Sequence, residues 1–211
     1  MKSMRSELEF GPSTTVEVFS RENTSFVHDI YISGPIEDAG NYLQPINVLR
    51  FASPNDTVRI FLNCPGGNLY TTMQILNAMR DSSATVITIG DGEVASAASL
   101  ILLSGDQIEI QENCIMMIHN TSCEMGGKTN DITRSAIFND KQARAMYKKI
   151  YSGFLTDDEL NRVMEGQDYW FDSEEIEKRL VNFINYHNSL LVDEGECAEE
   201  IELSSDVTEV E

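Results

Sequence analysis

Apolar positions along this chain alternate between short strand-like runs and stretches of helical spacing. Residues 27–32 read as a strand closed by Gly34-Pro35, and residues 41–52 read as a helix carrying Leu43, Ile46 and Leu49 or Arg50 on adjacent turns. A strand over 58–62 is followed by a helix over 69–80, in which Leu69, Met73, Leu76 and Met79 recur at helical spacing. Residues 84–89 form a nearly continuous apolar strand that ends at Gly90-Asp91-Gly92. A short, very apolar helix over 95–103 comes next, then strands over 108–110 and 114–118. A Lys- and Arg-rich helical stretch over 129–154 precedes a helix over 157–164. Asp172-Ser173-Glu174-Glu175 has the form of a capping box and opens one more helix. Strands alternating with helices imply βαβ units and a mainly parallel sheet. The expectation is one α/β domain over 27–191 with flanking helices and a helical arm over about 129–154.

Charge narrows the partners. The 211 residues carry a net charge of −20, which disfavours nucleic acid and anionic membrane surfaces, since both would repel the chain. Nine of the acids lie after Val192 with no Lys or Arg among them, so residues 192–211 are expected to be a solvated, disordered tail. No window approaches the roughly 18 apolar residues of a membrane span, and the first twelve residues have no apolar signal core. A cytoplasmic location is expected. Cys64, Cys114, Cys123 and Cys197 form no CxxC pair and show no metal spacing, so all four are read as reduced thiols.

Candidate chemistry gathers at the junctions. Pro65-Gly66-Gly67 stands where a strand turns into a helix. Two readings are open there: turn chemistry, or backbone N–H groups freed to bind something. His119 ends the strand over 114–118, where ligands bind in open parallel sheets, or it is a hydrogen-bonded core histidine. Ser96 lies where the strand ending near Gly92 gives way to an apolar helix, and the Ala97 N–H falls in the first turn without an intrahelical acceptor. That layout suits a serine nucleophile with a built-in oxyanion donor, and equally a serine N-cap. Asp168 precedes the aromatic run Tyr169-Trp170-Phe171 and could orient a histidine or be a surface acid.

Taken in order, these segments resemble the proteolytic subunit of the Clp protease, the ClpP family. Asn63-Cys64-Pro65-Gly66-Gly67 is similar to its Pro-Gly-Gly loop, Gly92-Glu93-Val94-Ala95-Ser96 to its nucleophile motif, and Met117-Ile118-His119 to its histidine motif. Asp168 with the aromatic run and Asp172-Ser173-Glu174-Glu175 is similar to its downstream aspartate segment, and Lys128-Thr129-Asn130-Asp131-Ile132 to the start of its handle helix. Ser96 follows Gly67 by 29 residues, His119 follows Ser96 by 23, and Asp168 follows His119 by 49. The resemblance spans roughly residues 27–191. It departs at Ala97-Ala98, where the family has Met-Gly, at the altered glycine-rich strand Asn120–Gly127, and over residues 1–26, which do not align. Such departures suit a divergent or bacteriophage-encoded homologue.

The resemblance implies a ClpP/crotonase-like fold and a serine endopeptidase acting on unfolded polypeptide inside an oligomeric chamber. Ser96, His119 and Asp168 would be the catalytic triad. The backbone N–H groups of Gly67 and Ala97 would form the oxyanion hole. Gly66, Asn68, Leu69 and Ser122 would bind the peptide. A Cβ at Gly66 or Gly67 is expected to hold the substrate backbone away. The partners implied are copies of the chain in one or two heptameric rings and a ClpX- or ClpA-type AAA+ unfoldase. No metal or organic cofactor is expected. Three alternatives stand beside this reading: a non-catalytic ClpP-like subunit, a narrow-specificity processing protease of the phage head-maturation type, and a crotonase-fold acyl-CoA binder. The acidic chain and the Ser–His–Asp order count against the last.

Overall fold

The computed structural model describes residues 24–122 and 126–205, of which 191–205 are described by backbone alone. Six strands build one sheet in the order β1-β2-β3-β5-β6, with β4 also paired to β3. They are β1 Val27–Ser33, β2 Thr57–Cys64, β3 Thr85–Ala95, β4 Gln107–Ile110, β5 Ile115–Ile118 and β6 Tyr169–Asp172. All pairings are parallel except β5 with β6. The helices are α1 Leu43–Phe51, α2 Leu69–Arg80, α3 Ala97–Leu102, α4 Thr129–Tyr151, α5 Asp157–Met164 and α6 Ser173–Ser205. The mixed α/β architecture with a mainly parallel sheet is the one expected.

Alternation along β2 sets the core. Val58, Ile60, Leu62 and Cys64 point to the buried face, while Arg59 and Phe61 point to the other. That second face is open: Tyr31 stacks on Phe61 at 4.7 Å, and Arg59 binds Asp29 through two bonds of 2.7 and 2.8 Å. On the covered face lies α3, every residue of which is buried. Ala97, Ala98 and Ser99 keep its first turn thin enough to sit between the sheet and α2.

Several boundaries differ from the sequence expectation. The helix expected over 41–52 is a 3-10 turn, Ala39–Tyr42, followed by α1, with Pro45 tolerated in the first turn. The strand expected to stop at Gly90 runs on to Ala95. Its register against β2 slips by two residues, from Leu62↔Gly90 to Cys64↔Val94, while its other edge passes from β4 to β5. Asn63 holds this irregularity, its Oδ1 accepting the Glu93 N–H at 3.1 Å. A Cβ at Gly92 would lie 2.7 Å from that same oxygen. Strand β6 was not anticipated; only its Tyr-Trp-Phe run hinted at β structure. The capping box proper opens α5, where Thr156 and Glu159 bond reciprocally, whereas at α6 Asp172 accepts from Glu175 at 2.9 Å.

From Thr129 to Gln142 no residue of α4 is buried; Ala143, Tyr147 and Tyr151 then anchor it. The first part of the helix is therefore only loosely covered by the body, with Ile137 and Phe138 exposed. Phe154 lies beyond the helix and in the core, edge-on to Phe171 and Phe183. The acid-rich segment expected to be disordered continues as helix through Ser205, a course that glutamate's helix propensity allows; residues 206–211 lie outside the described residues, as do 1–23. Cys64 and Cys114 are buried free thiols, and burial raises the Cys114 pKa to about 11. No described helix is long and apolar enough to cross a membrane.

Candidate active site

Ser96 sits between β3 and α3 with φ 56° and ψ −124°, the one non-glycine residue with positive φ among those described. A side chain in that region costs about 1–3 kcal/mol and persists only when its surroundings over-determine it. Here they do. The Ser96 N–H donates to the Met117 carbonyl at 2.8 Å, extending the β3–β5 ladder by one bond. Ser96 caps nothing with its side chain, so the N-cap reading gives way. The hydroxyl faces His119 instead: Ser96 Oγ lies 2.6 Å from His119 Nε2. His119 follows β5 directly, which explains the meeting. The strand that receives the Ser96 amide also delivers the imidazole.

The Pro65-Gly66-Gly67 loop closes over this junction. Gly66 has φ 96° and Gly67 φ 142°, values only glycine adopts without strain. Ile36 clamps the loop, donating to Gly66 O and accepting from the Asn68 N–H, both at 2.7 Å. A Cβ on Gly66 would come within 2.6 Å of Ser96 Cβ and 3.0 Å of Ala97 N; one on Gly67 would come within 2.8 Å of Ile36 N. The protein's own packing thus already requires both glycines, before any clearance for a substrate is considered. The Gly66 N–H is occupied by Cys64 Sγ at 3.3 Å. Among the described residues no acceptor meets the Gly67 N–H. The Ala97 N–H opens α3 and has no preceding helical carbonyl.

The other residues singled out from sequence are placed differently. Asn68 spends its side-chain oxygen as the N-cap of α2, accepting from Tyr70 and Thr71 at 3.0 and 3.1 Å. Leu69 packs against the core, and Ser122 is exposed beside residues 123–125, which lie outside the described residues. Asp168 is exposed in the turn before β6 and makes no hydrogen bond or ion pair among the described residues. It is nevertheless in register. The antiparallel pairs run from Ile115↔Asp172 to Ile118↔Tyr169, and the next pair along would be His119 with Asp168. Ser96 Oγ takes Nε2, so Nδ1 is the imidazole nitrogen left for a carboxylate.

Neither other histidine shares this setting. His28 lies within β1, 3.8 Å from the Asp56 carboxylate. His187 is wedged beside Phe183 and Tyr186, its Nε2 buried without a partner among the described residues, and burial lowers its pKa. No group of three or more His, Cys, Asp or Glu among the described residues could hold a metal ion. What the sequence did not reveal is the partner from a distant element: the Tyr151 hydroxyl meets that of Ser99 at 2.8 Å behind Ser96. An apolar helix carrying a serine three residues after Ser96 was the available signal.

The chain's similarity to known proteins agrees with this geometry. The family described as Clp protease matches residues 17–182. The ATP-dependent Clp protease proteolytic subunit 2 of Tropheryma whipplei is 27% identical over 153 residues, covering 69% of this chain and 83% of that protein. The ATP-dependent Clp protease proteolytic subunit of Bacteroides thetaiotaomicron is 28% identical over 166 residues, covering 77% and 74%. That of Deinococcus radiodurans is 31% identical over 107 residues, about half of each chain, 49% and 52%. With the family matched over most of its length and a serine–histidine pair at the expected junction, this chain belongs to the Clp protease family.

Proposed function

We propose that this chain is a serine endopeptidase that hydrolyses peptide bonds of unfolded polypeptides in an oligomeric chamber. The observation that carries the reading is the 2.6 Å contact between His119 Nε2 and the hydroxyl of a conformationally strained Ser96. Ser96 Oγ attacks the scissile carbonyl while His119 takes its proton. The amides of Ala97 and Gly67 hold the resulting oxyanion. His119 then returns the proton to the leaving amine, and the acyl group leaves Ser96 by attack of water. In the active form Asp168 would accept from Nδ1, fixing the tautomer in which Nε2 is free to act as base. Gly66, Leu69 and Ser122 line the peptide path. Copies of the chain assemble in one or two heptameric rings, the α4 arm pairs them, and an AAA+ unfoldase of the ClpX or ClpA type feeds the chamber.

The test is fluorophosphonate labelling together with cleavage of a fluorogenic peptide and of unfolded and folded casein-like substrates, with Ser96→Ala as control. Labelling confined to Ser96 and cleavage restricted to unfolded substrate support the proposal. Cleavage of a few sites in folded substrate would favour a processing protease. One observation favours a non-catalytic subunit: Asp168 is exposed and makes no bond to His119. An assembled protein that is neither labelled nor active would establish that reading.

A further inference from the structure

The peptide plane joining Ser96 to Ala97 carries both the Ser96 carbonyl and the Ala97 N–H, which point in opposite directions across a trans amide. Whatever holds the oxygen therefore aims the N–H. The oxygen is held closely. Ser99 Oγ donates to Ser96 O at 2.6 Å and the Ser99 amide donates at 3.0 Å. A hydroxyl has one proton, and that of Ser99 is already given to Ser96 O, so Tyr151 OH, 2.8 Å away, donates to Ser99 Oγ. The relay runs Tyr151 OH to Ser99 Oγ to Ser96 O. Ser99 is 0% exposed and Tyr151 1%, so water does not compete for these bonds.

We infer that Ser99 and Tyr151 are positioning residues for the oxyanion donor, holding the Ser96–Ala97 peptide in the one orientation that presents the Ala97 N–H to the reacting carbonyl. The inference rests on the peptidase reading above. A serine bonding back one turn is by itself a common local motif. What sets this one apart is the buried tyrosine hydroxyl from a different element and the backbone it restrains. Ser96 sits at φ 56°, from which rotation of the following peptide would relieve strain and withdraw the N–H. Hydrogen bonds on a carbonyl also polarise its own amide, strengthening the N–H as a donor, and burial adds to this. Burial raises the Tyr151 pKa, which keeps the hydroxyl protonated and able to donate. Tyr151 is the last residue of α4, so the relay ties the anchored end of the arm to the oxyanion donor.

The experiment measures kcat and KM for a fluorogenic peptide, and the fluorophosphonate labelling rate, in Ser99→Ala, Tyr151→Phe and the double variant. An oxyanion donor acts in the transition state, so kcat should fall while KM stays within about two-fold. Complete loss of such a donor lowers kcat about 10²–10³-fold, so its misalignment in Ser99→Ala should lower kcat about 5–30-fold. Tyr151→Phe keeps the ring packing and should fold even if Ser99→Ala does not; it should lower kcat about 3–10-fold on the same scale. Tyr151 acts through Ser99, so the double variant should be no slower than Ser99→Ala. Wild-type kcat in Tyr151→Phe, or losses that multiply in the double variant, would overturn the inference while leaving the peptidase reading intact. Absence of Ser96 labelling in the wild-type protein would overturn the peptidase reading, and the inference with it.

Discussion

The amide of Ser96 donates to the carbonyl of Met117 at 2.8 Å, so the ladder that ends β3 also sets the imidazole, two residues on and just past the end of β5, beside the serine hydroxyl. Serine hydroxyl and imidazole are thus placed by backbone pairing before any side-chain packing is considered. Ser99 and Ser104 cannot substitute, because their hydroxyls donate to Ser96 O and Leu100 O at 2.6 and 2.7 Å. Mass-spectrometric mapping after fluorophosphonate treatment should therefore find the adduct on Ser96 alone, and Ser96→Ala should remove it. His119→Gln should lower kcat by about 10³-fold or more, as removal of a general base does. An adduct on Ser99 or Ser104 in the Ser96→Ala protein would refute the assignment.

Gly66→Ala tests the fit of the loop against Ser96. The new Cβ would meet Ser96 Cβ at 2.6 Å and the Ala95 carbonyl oxygen at 2.7 Å. The protein should fold but label at least about 100-fold more slowly, since a small displacement of reacting groups has that effect. Gly34→Ala is the control: its φ is 95° yet nothing lies within 4 Å of the added Cβ. It should lower stability by about 1 kcal/mol, the usual cost of a left-handed alanine, and leave labelling unchanged. Equal labelling of the two variants would refute the close approach.

Asp168 lies where the β5–β6 register next pairs it with His119. If its carboxylate orients the imidazole, Asp168→Asn should lower kcat on the order of 10⁴-fold with intact assembly, as loss of a triad acid does. Wild-type turnover in that variant would mean that Ser96 and His119 act as a dyad.

Glu159 and Arg179 tie α5 to α6. Two bonds of 2.8 and 2.9 Å join them, both are 19% exposed, and the guanidinium together with the Thr156 cap lowers the Glu159 pKa from 4.5 to about 2. A depressed carboxylate pKa contributes stability that is fully present above the unfolded value near 4.5 and is lost as pH falls toward 2. Glu159→Gln should thus lower stability at pH 7 by on the order of 2–3 kcal/mol, with the difference from wild type shrinking below pH 4.5. Urea unfolding at pH 7 and pH 3 would check this, and a difference that does not shrink at pH 3 would refute the ion-pair account.

The outer part of α4 exposes Ile137 and Phe138, 66% and 60%, with no buried residue between Thr129 and Gln142. If this arm pairs rings, Ile137→Asp with Phe138→Asp should halve the mass of the assembly in native mass spectrometry while leaving the unfolding midpoint unchanged. An unaltered mass would refute the role of the arm.

How much of this was legible in the chain varies from element to element. Helix α2, helix α5 and the strand character of β2 followed from period and caps, because amphipathic spacing is a local property of neighbouring residues. Ser96, His119 and the Gly66-Gly67 turn were also legible, as each stands at a junction between two locally readable elements. The extension of β3 to Ala95 was not, because a strand that slips two residues and changes partners is specified by β2, β4 and β5. Phe154 was read with the arm and belongs to the core, since only packing against Phe171 and Phe183 distinguishes the two. The reason for the glycines was legible only in part. Their positive φ was foreseeable from residue type, whereas the collision of a Cβ with Ser96 or with Ile36 exists only once distant backbones have converged. The order of serine, histidine and aspartate is a property of the sequence. The 2.6 Å between hydroxyl and imidazole, the strain at Ser96 and the hydroxyl relay behind it arise from non-local pairing, which no window of sequence contains.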